Sequence, residues 1–285
     1  MARHITPRKF FRWFKTAPLL GTAALAAFLA WSVNEQRLAA PLVWGGLPKA
    51  NARELTHVLR NPGFTVGYSE LRRNPLWVAY RVRAVRKKNR MPRPRGFNQD
   101  WRTLWWLRPS GFREYGYDRG HLAPNYAIGQ LYGREAQYAT FRLSNISPQS
   151  PELNRELWQR LEEIEVDDFA PRLGELQVIA GPVFWKPREL LPGGVEIPDA
   201  FYKILVDYDA KTPQALAFVM PQRVNGGEPL DRFVVSVGEV ERVTGLDFFS
   251  RLSDAQESQL ERARLDSHWR LTQVARKPGR YRVGD

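Results

Sequence analysis

Tyr117-Asp118-Arg119-Gly120-His121-Leu122-Ala123-Pro124 is the stretch on which the reading of this chain turns. A histidine titrates near neutral pH and suits general-base work. In an extended segment side chains alternate, so Arg119 and His121 share one face. A guanidinium beside an imidazole fits a phosphate diester: one group holds the anion and the other takes a proton from water. Gly120 between them is expected to let a substrate backbone come close.

Composition frames that reading. The chain has 285 residues, 43% of them hydrophobic, with 10 Trp, 15 Phe and 10 Tyr, enough for one domain with a substantial core plus an N-terminal extension. Its 43 Lys+Arg against 30 Asp+Glu leave a net charge of +13, which favours a polyanionic partner, either nucleic acid or an anionic membrane surface. The absence of cysteine excludes disulfides, thiolate catalysis and Cys-based metal sites. Of the four histidines, His4 belongs to the leader, and His57 in the early helix and His268 beside Trp269 belong to no evident catalytic constellation. Both are read as structural.

Residues 1–16 form a basic leader carrying Arg3, Arg8, Lys9, Arg12 and Lys15 without an acid, followed by an uncharged apolar run at 17–33. The basic flank and the aromatic residues at both ends favour a membrane anchor or signal segment. Its N-terminus would face the cytoplasm and the bulk of the chain the non-cytoplasmic side. A cleaved signal peptide and a mitochondrial presequence stay open, as does a buried helix. A bacterial periplasm is the favoured location, with secretion or the mitochondrial intermembrane space as alternatives. Residues 34–50 read as a linker and 51–285 as the catalytic domain.

Within that domain, 51–60 suggests a short helix ended by Asn61-Pro62-Gly63. Strands are expected at Phe64–Tyr68, Leu76–Val85, Leu176–Trp185, Phe201–Tyr208, Ala215–Met220 and Phe233–Val237. Helices are expected over Gly133–Phe141, around 239–244 and over 254–264. From Arg72 to Arg95 there are ten Lys or Arg and no acid, either a solvated face or a track for phosphates. Trp101, Trp105 and Trp106 are read as core, with base stacking as the alternative. Strands mixed with helices, without a βαβ rhythm, indicate an α+β domain.

Downstream, Leu153, Leu157, Leu161 and Ile164 recur at helical spacing, and Asn154, Trp158 and Glu162 form a second row. Magnesium needs only one or two protein oxygens. Asn154 could bind it directly while Glu162 holds a coordinated water. For Asp118 the residues suggest orientation of a neighbour or a structural part.

Asp118-Arg119-Gly120-His121 resembles the signature of the DNA/RNA non-specific endonucleases, the ββα-metal family that includes endonuclease G. The resemblance extends over about 64–260. Arg95-Gly96-Phe97-x-x-Asp100, Asn145-Ile-Ser-Pro-Gln, Leu153-Asn154, Trp158 and Leu161-Glu162 are similar to family segments, as is Glu239 to Phe249. It implies a mixed, largely antiparallel sheet with flanking helices and a ββα-metal unit. It implies Asn154 as metal ligand, Glu162 as its water-holding partner, His121 as base, Arg119 and Arg95 as phosphate contacts and Asn145 as a nearby site residue. The cofactor implied is Mg²⁺, with Mn²⁺ as a substitute. The substrates are DNA, RNA or both, cut without sugar or sequence specificity, and a homodimer is one expected assembly. Two other classes stay in view: a membrane-anchored nucleic-acid-binding protein without catalysis, and a phosphodiesterase or phosphatase for small substrates.

Overall fold

The structure, a computed structural model, describes residues 7–51, 54–85, 89–107, 109–262, 264 and 267–279, with side chains at 7–21, 24 and 111 outside that description. Most of the basic leader, Arg86, Lys87 and Lys88 of the basic run, and the end of the basic tail therefore lie outside the described residues.

A seven-stranded sheet forms the centre. In chain order the strands are β1 (Thr56–Asn61), β2 (Phe64–Ser69), β3 (Asn74–Val82), β4 (Asp118–His121), β5 (Ile146–Gln149), β6 (Leu176–Val183), β7 (Ala200–Asp207), β8 (Gln214–Pro221) and β9 (Val234–Val235). The large sheet runs β1-β2-β3-β6-β7-β8-β9, and β4-β5 make a separate two-stranded ladder. Every pairing is antiparallel. This is the α+β architecture that the motifs imply.

Both faces of the large sheet are covered. On one, Val66, Tyr80, Phe201 and Phe218 pack with Leu122, Leu157, Trp158 and Phe169 of the helical layer. On the other, Trp77, Tyr202 and Ile204 pack with Ala39, Val43, Val240 and Phe248. Successive side chains of a strand enter opposite cores, which is why β6 and β7 are buried at every position.

Several expectations change. Residues 56–61, expected in a helix, form β1, paired with β2 in register Asn61↔Phe64. Pro62-Gly63 is the hairpin turn, with Gly63 at φ +80, where a side chain is disfavoured. The 34–50 segment, expected as a linker, is built into the domain. Helix α1 (Pro7–Ala39) runs into its first residues, Ala39 and Val43 are buried, and Lys49 bridges to Asp247. The apolar run lies inside α1, and among the described residues no helix is long and apolar enough to cross a membrane. The tryptophans read as core are outside it: Trp101 and Trp106 are each 80% exposed and Trp105 46%. The loop that carries them is held by its polar residues, Thr103 and the buried Asp100, and sends Leu107 inward.

The closing helix begins at Val237, because Ser236 and Glu239 form a reciprocal capping box there. It stops at Gly245, which takes the left-handed conformation.

Candidate active site

β4 delivers the motif, and the alternation works as expected: Arg119 and His121 project together. The ring they meet is Phe97. Its centroid lies 5.4 Å from the His121 ring and 4.4 Å from the Arg119 guanidinium. Next to Phe97, Phe141 stands edge-on to His121 at 4.8 Å and carries the Arg93 guanidinium at 5.1 Å. The two phenyl rings also touch each other, with centroids 5.0 Å apart, so the imidazole packs against one aromatic pair of which each ring bears a cation. Burial first, then the positive charge of Arg93 and Arg119, pushes the His121 pKa down to about 3. The ring is neutral at physiological pH, and its Nε2 is buried without a hydrogen-bond partner.

Arg95, given the phosphate role by resemblance, and Arg93 are both exposed. Arg93, two residues earlier, is the arginine that feels His121, Glu162 and Asp118 at once. Sequence alone could not choose between them, because both flank one proline in an irregular segment.

Gly120 does not face a substrate. A Cβ there would meet the Gln149 side chain at 2.2 Å, so glycine is needed to let β5 lie against β4. Asn145 is fully buried, and its amide is used up by the backbone. It accepts from Ala123 N (2.9 Å) and donates to Ala123 O (3.1 Å) and Thr140 O (2.9 Å). Its work is to hold the chain just after His121 in place.

The second half of the site is the helical run 153–173. Ser150 starts it: its hydroxyl accepts from Leu153 N (3.4 Å), and Pro151 follows where a missing N–H costs nothing. Leu153–Trp158 is wound as a π-helix, then Gln159–Ile164 as an α-helix. The wider turn rotates Asn154 relative to the simple i, i+4 row expected from sequence, a distortion frequent at functional sites.

Asp118, on the opposite face of β4 from His121, aims Asn154. Its carboxylate accepts from Asn154 Nδ2 (2.9 Å) and takes a two-pronged ion pair from Arg155 (2.7 Å each). Burial opposes ionisation of Asp118, but the Arg155 and Asn154 hydrogen bonds prevail and hold its carboxyl below the usual range. A carboxylate only accepts, so Asn154 must present Nδ2 to it and leave Oδ1 for another partner. That is the orienting role anticipated for Asp118. Replacing Asp118 by asparagine removes both the Arg155 pair and this constraint. We expect turnover to fall by about 10–100-fold, partly restored by raising Mg²⁺, as for other residues that orient a ligand. Unchanged activity across a Mg²⁺ titration of D118N would contradict it.

Glu162 lies deeper. Its Oε1 is buried without a hydrogen-bond partner, and Lys203 Nζ stands 3.9 Å away. Burial pushes its pKa up to about 8, against the pull of Lys203 and with the push of Glu165. Lys203 itself is fully buried. It pairs with Glu165 at 2.7 Å, lies over the Trp158 ring at 4.3 Å and approaches Tyr80 Oη at 3.4 Å. Neither Lys203 nor Glu165 was picked out from sequence. The signal was a lone charge inside the apolar run Phe201–Val206, which in a doubly buried strand requires a partner.

Asn154, whose Nδ2 is committed to Asp118, and Glu162, whose Oε1 lies 3.9 Å from Lys203, are oxygen donors of the kind that a hard divalent ion takes while keeping most of its waters. Among the described residues no group of three or more His, Asp or Glu could hold a metal by itself, in keeping with so sparse a set. His268, expected without a partner, pairs with Asp207 at 2.9 Å, while His57 is buried 3.5 Å from Glu70. Both lie outside this site.

Comparison with known proteins agrees with the geometry. The family model for DNA/RNA non-specific endonucleases matches residues 48–255. A nuclease of Nostoc sp. is 28% identical over 85% of this chain and 96% of its own. Human mitochondrial endonuclease G is 30% identical over 72% and 73%, respectively. In a solved structure of the EndoG/EndoGI complex, one chain superposes with a TM-score of 0.63 at 25% identity, over 77% of this chain and 94% of that one. The chain described here thus belongs to the DNA/RNA non-specific endonuclease family.

Proposed function

We propose that this chain is a Mg²⁺-dependent endonuclease that hydrolyses phosphodiester bonds of DNA and RNA without sugar or sequence specificity, with His121 as general base. The observation that carries the reading is the neutral His121 packed against the Phe97–Phe141 pair with Arg93 and Arg119 on those rings.

A phosphate entering the site meets two guanidiniums already oriented on aromatic faces. They bind the non-bridging oxygens and bring the phosphorus to the imidazole. Neutralising those cations also lifts one of the causes that depress His121 basicity, so substrate binding prepares the base. The His121 imidazole then takes a proton from the attacking water, and Arg119 stabilises charge on the five-coordinate phosphorus. Asn154 directly, and Glu162 through water, would hold Mg²⁺, which when bound supplies charge stabilisation at the phosphoryl and leaving oxygens. Contacts confined to phosphate carry no base information, hence the absence of sequence specificity.

The test uses the full chain with closed circular plasmid and with RNA, in Mg²⁺, Mn²⁺ or EDTA. Nicking of plasmid and breakdown of RNA are expected with either ion, neither in EDTA, and loss of both in Asn154→Ala at equal Mg²⁺. Nucleic acid that is retarded on a gel but stays intact would overturn the catalytic reading.

A further inference from the structure

Helix α1 leaves the body of the protein with its apolar side chains bare. From Thr22 to Val33 it carries no charge, and Leu25, Leu29 and Val33 are 59%, 54% and 48% exposed. Phe28 and Trp31 turn inward, onto the His57 ring at 5.8 and 6.0 Å. Leaving a leucine in water instead of burying it forgoes about 1.5–3 kcal/mol. The 101–106 loop shows the same pattern, with Leu104 69% exposed between the exposed Trp101 and Trp106.

The two features are tied to one edge strand. Arg60 of β1 pairs with Glu35 of α1 at 2.9 Å, and its carbonyl accepts from Arg102 of the loop at 2.7 Å. His57 of β1, under Phe28 and Trp31, stands 3.5 Å from the Glu70 carboxylate, which accepts from Leu104 N at 3.1 Å. Loop and helix therefore flank the same two residues of β1 and present neighbouring apolar surfaces, of the kind that marks an interaction site.

The side-chain types choose the occupant. A base-stacking platform would use the tryptophans but not Leu25, Leu29, Val33 or Leu104, which have no π face. A bilayer takes both kinds, aliphatic groups toward the acyl chains and indoles at headgroup level. Charge points the same way: Arg3, Arg8, Lys9, Arg12 and Lys15 precede the apolar run without an acid, and the whole chain carries +13. We infer that this face docks on an anionic lipid surface, with Trp101, Leu104 and Trp106 seated in the interface beside α1. The contact is peripheral, needs no helix that crosses the membrane, and is independent of the nuclease reading.

The chain has no cysteine, so Leu104→Cys provides a single attachment point for an environment-sensitive NBD fluorophore. Lys211→Cys, in the exposed β7–β8 turn four strands from β1, is the control. The full chain is mixed with phosphatidylglycerol/phosphatidylcholine vesicles and with phosphatidylcholine alone. Co-sedimentation is expected with the anionic vesicles, about ten-fold weaker without the anionic lipid. The label at 104 should brighten and shift to the blue on binding, and the label at 211 should not. The pair Trp101→Ser and Trp106→Ser should weaken partitioning by about ten-fold while plasmid nicking in lipid-free solution is unchanged. The inference is overturned if the chain does not bind the anionic vesicles, or if it binds with the label at 104 unaltered. A label that responds to single-stranded DNA in EDTA but not to vesicles also overturns it and assigns the face to nucleic acid.

Discussion

His121→Ala lowers the rate of plasmid nicking by about 10³–10⁴-fold, with nucleic-acid binding in EDTA retained, because the variant loses the base but keeps Arg93 and Arg119. General-base removal alone accounts for about 10²–10⁴. The upper part of that range is expected here, since no other neutral base is described beside the aromatic pair. A variant that cuts within ten-fold of the parent would assign the proton transfer elsewhere. The same residue carries a pH signature. In the unfolded chain His121 takes a proton near pH 6.5, whereas in the fold it resists protonation down to about pH 3. Between those values the unfolded state binds more protons, so stability is full above pH 6.5 and lost as pH falls through that window. From pH 7 to pH 5 this residue alone removes about 2 kcal/mol. His121→Asn deletes that contribution, so its urea-unfolding free energy should fall less than the parent's over the same interval. Parallel losses in the two proteins would show that His121 is not held neutral.

The second large effect concerns the buried pair beside the helix that carries Asn154 and Glu162. Lys203 and Glu165 are both fully buried and 2.7 Å apart. Removing one partner of such a pair leaves an uncompensated charge in the core, and Lys203→Met should cost about 3–5 kcal/mol of stability. In a domain of this size each kcal/mol moves the midpoint by about 2–4 °C, so a drop on the order of 10 °C is expected. The double variant Lys203→Met/Glu165→Gln should recover most of that loss, because it removes the stranded charge as well. If the double variant is no more stable than the single one, packing around Trp158 rather than the ion pair is what Lys203 supplies.

These effects separate two levels of the site. The aromatic pair beside His121 sets the state of the proposed base, and the buried Lys203–Glu165 pair lies next to Glu162. The first was half visible from the motif. Its arginine and histidine were read correctly as sharing a face, but the two phenylalanines that desolvate the imidazole come from residues 97 and 141, far apart in the chain. The second gave only the hint of one lysine among apolar neighbours.

Period-two alternation at Asp118–His121, apolar runs bounded by Gly and Pro, and the Leu153–Ile164 repeat are local features, and the sequence by itself determined the α+β class, most strands and the two halves of the site through them. The closing helix was legible for the same reason, since the capping box and Gly245 act within a few residues. What needed the tertiary structure depends on partners distant in sequence. Residues 56–61 became a strand because β2 offered a pairing edge, against a helical reading of their own. Arg93 rather than Arg95 faces His121 because Phe141 is there to receive it. Gly120 serves the β4–β5 contact because Gln149 fills the space beside it. Trp101 and Trp106 point outward because the loop's polar residues and Leu107 occupy the inward side. Periodicity records which side of an element is apolar; only packing decides what that side meets.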